Sequence, residues 1–197
     1  FENKIRLSSP VKNVKRDIDS ITVKFGSGTL ESENFDSIIF ATHSNQSLAM
    51  LDSPSTEERE ILSAIKYQKN DAILHYDDSI LPRRRNAWSS WNYLLDKDQD
   101  KAVALTYNMN ILQSIKSDRT FCVSLNSGDL IDQSKVIKNL NYDHPLFTVS
   151  SIDAQGRKHE ISGKNNTYYC GAYWRNGFHE DGVISGLDVC KDFGESL

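Results

Sequence analysis

The stretch FDSIIFATHS, residues 35 to 44, sets the tightest limit on the fold. Ile38, Ile39, Phe40 and Ala41 form an unbroken apolar run, closed by small and polar residues. A strand with one wet face alternates apolar and polar positions, whereas a strand covered on both faces does not. The run therefore predicts a buried strand of an α/β sheet. Residues 45–65 follow as helix, punctuated by Pro54. Ser55 and Glu58 fit a capping box, and Ile61, Leu62 and Ile65 supply an apolar face.

Upstream, Ile5 and Leu7 alternate with polar neighbours, as do Ile21, Val23 and Phe25, and both patterns predict strands. Gly26-Ser27-Gly28 reads as a turn leading into the strand and loop TLESENFD. From about residue 66 to 147 the character changes. DAILHYD, AWSSWNYLL, KAVALTYNM, TFCVSLN and VIKNLNYD are five β-like segments separated by turn-rich or charged stretches such as LPRRRN and DKDQDK. They predict an antiparallel sheet. TVSSIDAQGRK then reads as a short helix and turn, and NTYYCGAY as a strand. DGVISGLDVCKDF reads as a helix with Val183, Leu187 and Cys190 on its apolar side. The predicted fold class is mixed, α+β with α/β: an antiparallel block inserted into a second, α/β domain.

A hydrophobic share of 38% supports a real core. Net charge of −4 and a pI near 5.7 argue against nucleic acid or an anionic membrane as the main partner. No apolar run approaches the ~20 residues that span a bilayer. Cys122, Cys170 and Cys190 are widely spaced, with no metal-ligand pattern. They suit a reducing, cytoplasmic setting as small core residues. The opening Phe1-Glu-Asn-Lys-Ile carries neither an initiator Met nor a signal peptide, and reads as the inside of a longer protein.

Most familiar chemistry finds no footing. Gly26-x-Gly28 would need a third glycine at position 31, which is Glu31, so a dinucleotide-binding loop is absent. His43, His75, His144, His159 and His179 share no short ligand spacing, and no metal site is predicted; His144, before Pro145, reads as a turn residue. No Gly-x-Ser-x-Gly elbow exists. Arg83-Arg84-Arg85 reads as a solvated turn, or as a contact for an anion or partner. Trp88, Trp91 and Tyr93 alternate along one predicted strand, as core or as the wall of an apolar substrate cavity.

That leaves YYCGAYWRNGFHEDGVISG, residues 168 to 186. One reading is an ordinary loop and capped helix. In the other, Asp181 caps the helix, Gly182 and Val183 offer free N–H groups, and the positive helix end faces an electron-rich atom. Glu180 and Asp181 repel a phosphate, and a neutral ring carbonyl such as that of a flavin suits the position better.

Three stretches together resemble the flavin-containing amine oxidase family, which includes monoamine oxidases and phytoene desaturase-like enzymes. IRLSSPVKNVKRDIDSITVKF resembles its V-x-L-x-x-P-V-x-x-V…V-x-V strand pair. FDSIIFATHS is similar to its D-x-V-I-x-A-x strand, and YYCGAYWRNGFHEDGVISG to its F-A-G…G-x-x-x-G-A-x-x-S-G signature. More narrowly, LPRRRNAWSSWNY, TYNMN and NGFHEDGVISG resemble a bacterial subgroup of predicted NAD/FAD-binding proteins. The resemblance implies FAD as cofactor and a hydride passed from substrate to flavin. It implies an FAD domain from residues 1–48 and 161–197, and a substrate domain from 49–160.

It also implies roles. Val11 falls where the family's backbone meets the adenine, and Ala41 and Thr42 at a strand end near the pyrophosphate. Gly171 and Ala172 fall beside the ribityl chain and phosphates. Gly182 and Val183, preceded by Glu180 and Asp181, fall where amides face the pyrimidine carbonyl. Phe178 falls near an aromatic that flanks substrate, in a loop one residue longer than the family's. Trp88 and Trp91 are candidate substrate contacts. The family's glycine-rich first unit is missing, so the chain is expected to be a C-terminal fragment that binds FAD weakly or not at all. The implied substrate is a small or lipid-like molecule. The alternatives are a non-catalytic binding module using the β-sheet face, and a fragment that self-associates through surfaces left bare.

Overall fold

The structure is a computed structural model and describes residues 2–95 and 104–195. Two compact units emerge. One joins Phe1–Lys66 to Pro145–Leu197, and the other is Tyr67–His144. Residues 49–66 and 145–160, assigned above to the antiparallel block, thus pack with the first unit. The fold is mixed α+β, as the sequence predicted.

The first unit opens with an antiparallel meander of β1 (Val11–Arg16), β2 (Ile21–Phe25) and β3 (Glu31–Phe35). Ile21, Val23 and Phe25 alternate inward as expected, and Val14 is fully buried. Gly26 makes the turn after β2 at φ +123°. Ile5 and Leu7 form no strand: a short 3-10 turn at Glu2–Lys4 precedes them, and both side chains are exposed. Their alternation had no neighbouring strand to pair with.

β4 (Ile38–Phe40) leads into α1 (Ser44–Met50) and α2 (Thr56–Ala64). The capping box forms as written. Ser55 Oγ accepts the Glu58 N–H at 3.1 Å, and the Glu58 carboxylate accepts the Ser55 N–H at 2.8 Å. Ile61, Leu62 and Ile65 are buried, each contributing roughly 1.5–3 kcal/mol.

The second unit is one five-stranded sheet. It contains β5 (Tyr67–His75), β6 (Trp91–Leu94), β7 (Ala104–Asn108), the short helix α3 (Met109–Leu112), β8 (Cys122–Leu125) and β9 (Val136–Pro145), in the order β6-β7-β8-β5-β9. The β6–β7, β7–β8 and β8–β5 pairs are antiparallel. Bonds from Tyr76 N–H to Lys135 O and from Leu146 N–H to Lys66 O bracket β5 and β9 in the same sense. All five predicted β segments appear. The charged turn DKDQDK and the first residues of KAVALTYNM lie outside the described residues. His144 is a strand residue whose Nδ1 meets Asn70 Nδ2 at 2.9 Å, and not the turn residue expected.

Returning to the first unit, α4 (Val149–Gly156) is capped by Thr148. β10 (Thr167–Tyr169) pairs in parallel with β4, and α5 (His179–Asp192) closes the described chain. β4 thus finds its parallel neighbour in a strand that begins 127 residues after Phe40, and Phe40 stacks on Tyr169 at 5.5 Å between ring centroids. Of the run Ile38–Ala41 only Phe40 is buried; Ile38 is half-buried and Ile39 and Ala41 are exposed, so the strand is not covered on both faces as predicted. Among the described residues no helix is long and apolar enough to cross a membrane.

Candidate functional site

The site is built at the carboxyl ends of β4 and β10, where open parallel sheets bind ligands. The Cys170 N–H donates to Phe40 O at 2.9 Å, so Ala41–Thr42 and Cys170–Gly171 leave the two strands side by side. Ala41 and Thr42 are exposed there, with Thr42 Oγ1 3.0 Å from Ser47 Oγ. Gly171 adopts φ +150°, and a Cβ on it would lie 2.5 Å from the Tyr173 ring. Only glycine keeps this backbone in place. Ala172 begins a single 3-10 turn, and a Cβ on Gly182 would stand 3.8 Å from the Ala172 methyl. Gly171, Ala172 and Gly182 thus form a ledge of small residues, with the Tyr173 ring packed against Gly171.

α5 starts three residues before the predicted position. Phe178 holds the N-cap position and Asp181 the third helical position, from which its carboxylate reaches back to accept the Phe178 N–H at 3.0 Å. Asp181 is not the cap that the sequence suggested. Gly182 N–H is already bonded, donating to Phe178 O at 3.2 Å. The amides that the helix leaves without internal acceptors are therefore those of His179, Glu180 and Asp181. The cause is the loop turn at Gly177. Its φ of +88°, with the Phe147 ring 3.1 Å from where a Cβ would sit, turns the chain into the helix early.

The buried stripe of α5 also differs from expectation. Asp181, Ser185 and Val189 face inward, while Val183 and Cys190 are exposed. Ser185 explains the rotation. Its Oγ accepts the Gly171 N–H at 3.1 Å and lies 3.4 Å from Lys158 Nζ, latching the helix to the strand end. Burial pushes the Lys158 ammonium below its ordinary range, and its head stands 5.8 Å from the Trp174 ring centre. Gln155 Nε2 donates to both Tyr173 O and Arg175 O at 2.8 and 2.7 Å, holding the loop from below. Arg175 pairs with Asp181 at 3.4 Å. Sequence reasoning missed Ser185, Gln155 and Arg175. For Ser185 the only signal was a hydroxyl four residues before Val189, on the stripe that carries the helix's packing.

Other sequence candidates fall elsewhere. Val11 lines a separate cleft of about 610 Å³ against the meander, with Lys4, Arg6, Phe25 and Phe35. Phe178 is exposed at the helix entrance. Trp88 and Trp91 belong to the second unit. They do not share a strand: Trp88 ends a 3-10 turn, with its Nε1–H donating to Pro82 O at 2.8 Å, and β6 begins only at Trp91. Trp91 and Tyr93 are more than half exposed, not core. Cys122 is buried and its thiol is pushed up to about 12, and Cys170 is also raised by burial. Neither is a ready thiolate. Among the described residues no cluster of His, Cys, Asp and Glu could hold a metal.

No protein-family model matches the chain, and no curated protein matches it by sequence. Solved structures do match. A fatty acid isomerase from P. acnes aligns over 94% of this chain at a TM-score of 0.63 and 15% identity. Cyclohexylamine oxidase from Brevibacterium oxydans aligns over 99% at 0.60 and 10%. A putrescine oxidase variant aligns over 94% at 0.61 and 12%. The fold is shared with these proteins. The chain spans about half their length: 47%, 51% and 48%.

Does the ledge fit the cofactor implied by the sequence resemblance? The small residues Gly171, Ala172 and Gly182 keep side-chain bulk off the ledge except where the Tyr173 ring packs on Gly171. The α5 amides present partial positive charge, and the exposed Glu180 disfavours a phosphate at that spot. A neutral, electron-rich ring edge fits this donor set.

Proposed function

We propose that this chain carries the flavin-facing half of an FAD-dependent oxidoreductase of amine-oxidase type, within a longer cytoplasmic polypeptide. One observation carries the reading: Gly171–Ala172 and the first turn of α5 meet at the ends of two parallel strands, in a fold shared with amine oxidases. Ala41, Thr42, Gly171 and Ala172 line the path of the ribityl chain and phosphates. The first turn of α5, from His179 to Val183, faces the pyrimidine edge of the ring. Val11, in its own cleft, receives the adenine end. Phe178 flanks the substrate, a small or lipid-like molecule that gives up a C–H hydride, and a proton from the neighbouring atom, as its C–N or C–C single bond becomes double.

When bound, FAD supplies the hydride acceptor. This chain's residues supply position and field. The α5 end stabilises negative charge at the ring edge by about 1 kcal/mol, or about 2 if partly buried. Ser185 fixes that helix end relative to Gly171.

The test is the colour of the polypeptide as made in its own cells. A yellow protein that releases FAD on denaturation is expected, with the flavin lost in the Gly171→Val variant. A colourless protein that takes up no added FAD overturns the reading. The chain of 197 residues alone is expected to quench FAD fluorescence weakly or not at all, and nanomolar binding contradicts that.

A further inference from the structure

The second unit carries a surface that the flavin reading does not use. β5 and β7 end, and β6 and β8 begin, at one end of its sheet. His75 and Asn108 both face Cys122 in register, the Asn108 N–H donates to Ser90 O, and the Met109 N–H donates to Phe121 O. Two loops, 76–90 and 109–121, leave from that end. The Arg119 guanidinium lies over the Tyr76 ring at 4.9 Å and ties them together. The chain enters and leaves the unit, at Tyr67 and His144, at the opposite end.

The loop end is basic. It exposes Arg83, Arg84, Arg85, Lys116 and Arg119, against the acidic Asp78, Asp118 and Asp132; Asp77 is buried and pairs with Lys135 at 2.9 Å. Arg85 meets Asp78 only at 3.9 Å and lies over the Trp88 ring. Among the described residues Arg83, Arg84 and Lys116 make no ion pair. The same end is apolar at its tips. Ile111, Leu112 and Ile115 on and after α3 are 46%, 43% and 37% exposed, and Trp91 at the head of β6 is 53% exposed.

We infer that this loop end docks on an anionic lipid bilayer. Exposed aliphatic side chains beside an exposed Trp need an apolar cover, and the ring of cations needs anions around that cover. A bilayer interface offers both at the right depth: acyl chains for the tips, an interfacial layer for Trp, and anionic headgroups for arginines and lysines. Nucleic acid would satisfy the cations and leave three aliphatic residues wet. The net charge of −4, which argued against a membrane partner, is an average over the chain. Binding at an anionic surface depends on charges within a Debye length of it, about 8–10 Å.

Co-sedimentation with vesicles tests this without any flavin, so it stands or falls apart from the proposed function. The full chain is expected to pellet with phosphatidylcholine–phosphatidylglycerol vesicles about tenfold more than with phosphatidylcholine alone at low salt, and to release at high salt. Arg84→Glu with Lys116→Glu lowers that binding more than tenfold, at about fivefold per cation removed. Leu112→Ser lowers it without changing the salt dependence. These side chains are exposed, and unchanged circular dichroism verifies the fold. Vesicle binding that ignores both charge reversals overturns the inference. So does binding only to heparin, or self-association in gel filtration abolished by the same substitutions with no sedimentation on lipid.

Discussion

Each unit buries a polar cluster, and the two clusters work differently. In the first unit Arg16 of β1 grips Glu58 of α2 through both guanidinium nitrogens, at 2.5 and 2.8 Å, and Tyr169 Oη of β10 donates to the same carboxylate at 2.8 Å. In the second, a neutral ladder crosses the sheet, beside the buried Asp77 carboxylate that pairs with Lys135 at the loop end. His75 on β5 meets Ser124 on β8 at 2.8 Å, and Ser124 meets Thr106 on β7 at 2.7 Å. His75 Nδ1 accepts the Asp77 N–H at 3.1 Å, which puts the ring proton on Nε2 and makes it the donor to Ser124. The ionic cluster joins segments that are 42 and 111 residues apart. The ladder joins strands that the sheet already holds together. The first therefore specifies which elements meet, and the second fills a core that backbone pairing has defined.

Removing Glu58 is the harshest way to break this contrast. Burial alone would raise its carboxyl, yet the bonds from Arg16 and the Ser55 N–H outweigh that and hold it below the ordinary range. The Arg16 guanidinium is raised by the same pairing. The two side chains are 3% and 9% exposed. Glu58→Ala leaves a buried cation and an unmet phenol, and is expected to cost about 3–5 kcal/mol in urea unfolding. Hydrogen exchange should locate the loss in β1, α2 and β10. The double variant Arg16→Met/Glu58→Leu should recover much of it, because a well-packed apolar pair avoids the desolvation cost. If Glu58→Ala costs under about 1 kcal/mol, the cluster does not organise the unit.

Acid should separate the clusters next. Asp77, 2% exposed, accepts N–H bonds from Asp132 and Ser79 and pairs with Lys135. Burial would raise its carboxyl, but these donors hold it far below the ordinary range. A depressed folded pKa gives stability that is present above the unfolded value, about 3.9, and is lost as pH falls below it. Burial also lowers His75. Its unfolded form takes up a proton near pH 6.5 while the folded ring stays neutral, so stability falls as pH drops through about 6.5. Unfolding of the second unit should therefore weaken in two acid steps. His75→Asn should remove the upper step alone. Asp77→Ala should remove the lower one and cost about 1–3 kcal/mol at neutral pH, since the Ser79 and Asp132 N–H groups and the Lys135 ammonium lose their acceptor. A single acid step that survives both substitutions contradicts the assignment.

What could be read in the sequence followed the same divide. Local signals were sound for the Ser55–Glu58 box, the Gly26 turn and five strand segments, which all came from short-range pattern. The β4 run is a strand, but the cover expected on both faces is absent: only Phe40 is buried, and Ile39 is 47% exposed. Long-range polar choices were invisible. Arg16 and Glu58 read as surface charges, because nothing near either one announces a partner 42 residues away. At the candidate site, Gly171, Ala172 and Gly182 were legible as glycine-rich strand and helix ends. The exact helix start depended on Gly177 and Phe147, and the buried stripe on Ser185, all tertiary facts. Trp91 and Tyr93 misled because alternation marks a face without saying whether anything covers it.

Ser185→Ala asks whether the latch at the candidate site resembles the first cluster or the second. The Gly171 N–H would lose its acceptor while the strand pairing of β10 with β4 persists. The expected cost is about 1–2 kcal/mol, with faster amide exchange at Gly171 and weaker retention of flavin in the polypeptide that carries it. Unchanged exchange at Gly171 would place the latch among spectators.

The smallest expected effect makes the sharpest check on how α5 is turned. The sequence put Val183, Leu187 and Cys190 on its packed side, whereas the structure packs Asp181, Ser185 and Val189. Val183 is 53% exposed and Cys190 is exposed. Val183→Ser and Cys190→Ser are therefore expected to change stability by less than about 0.5 kcal/mol each, as surface substitutions do. Val189→Ala, at 2% exposure, should cost more than either, through lost burial and the cavity left behind. The ordering matters more than the size. If Cys190→Ser destabilises more than Val189→Ala, the helix is rotated towards the face predicted from sequence. Ser185 then turns away from Gly171, and the ledge loses the residue that fixes it.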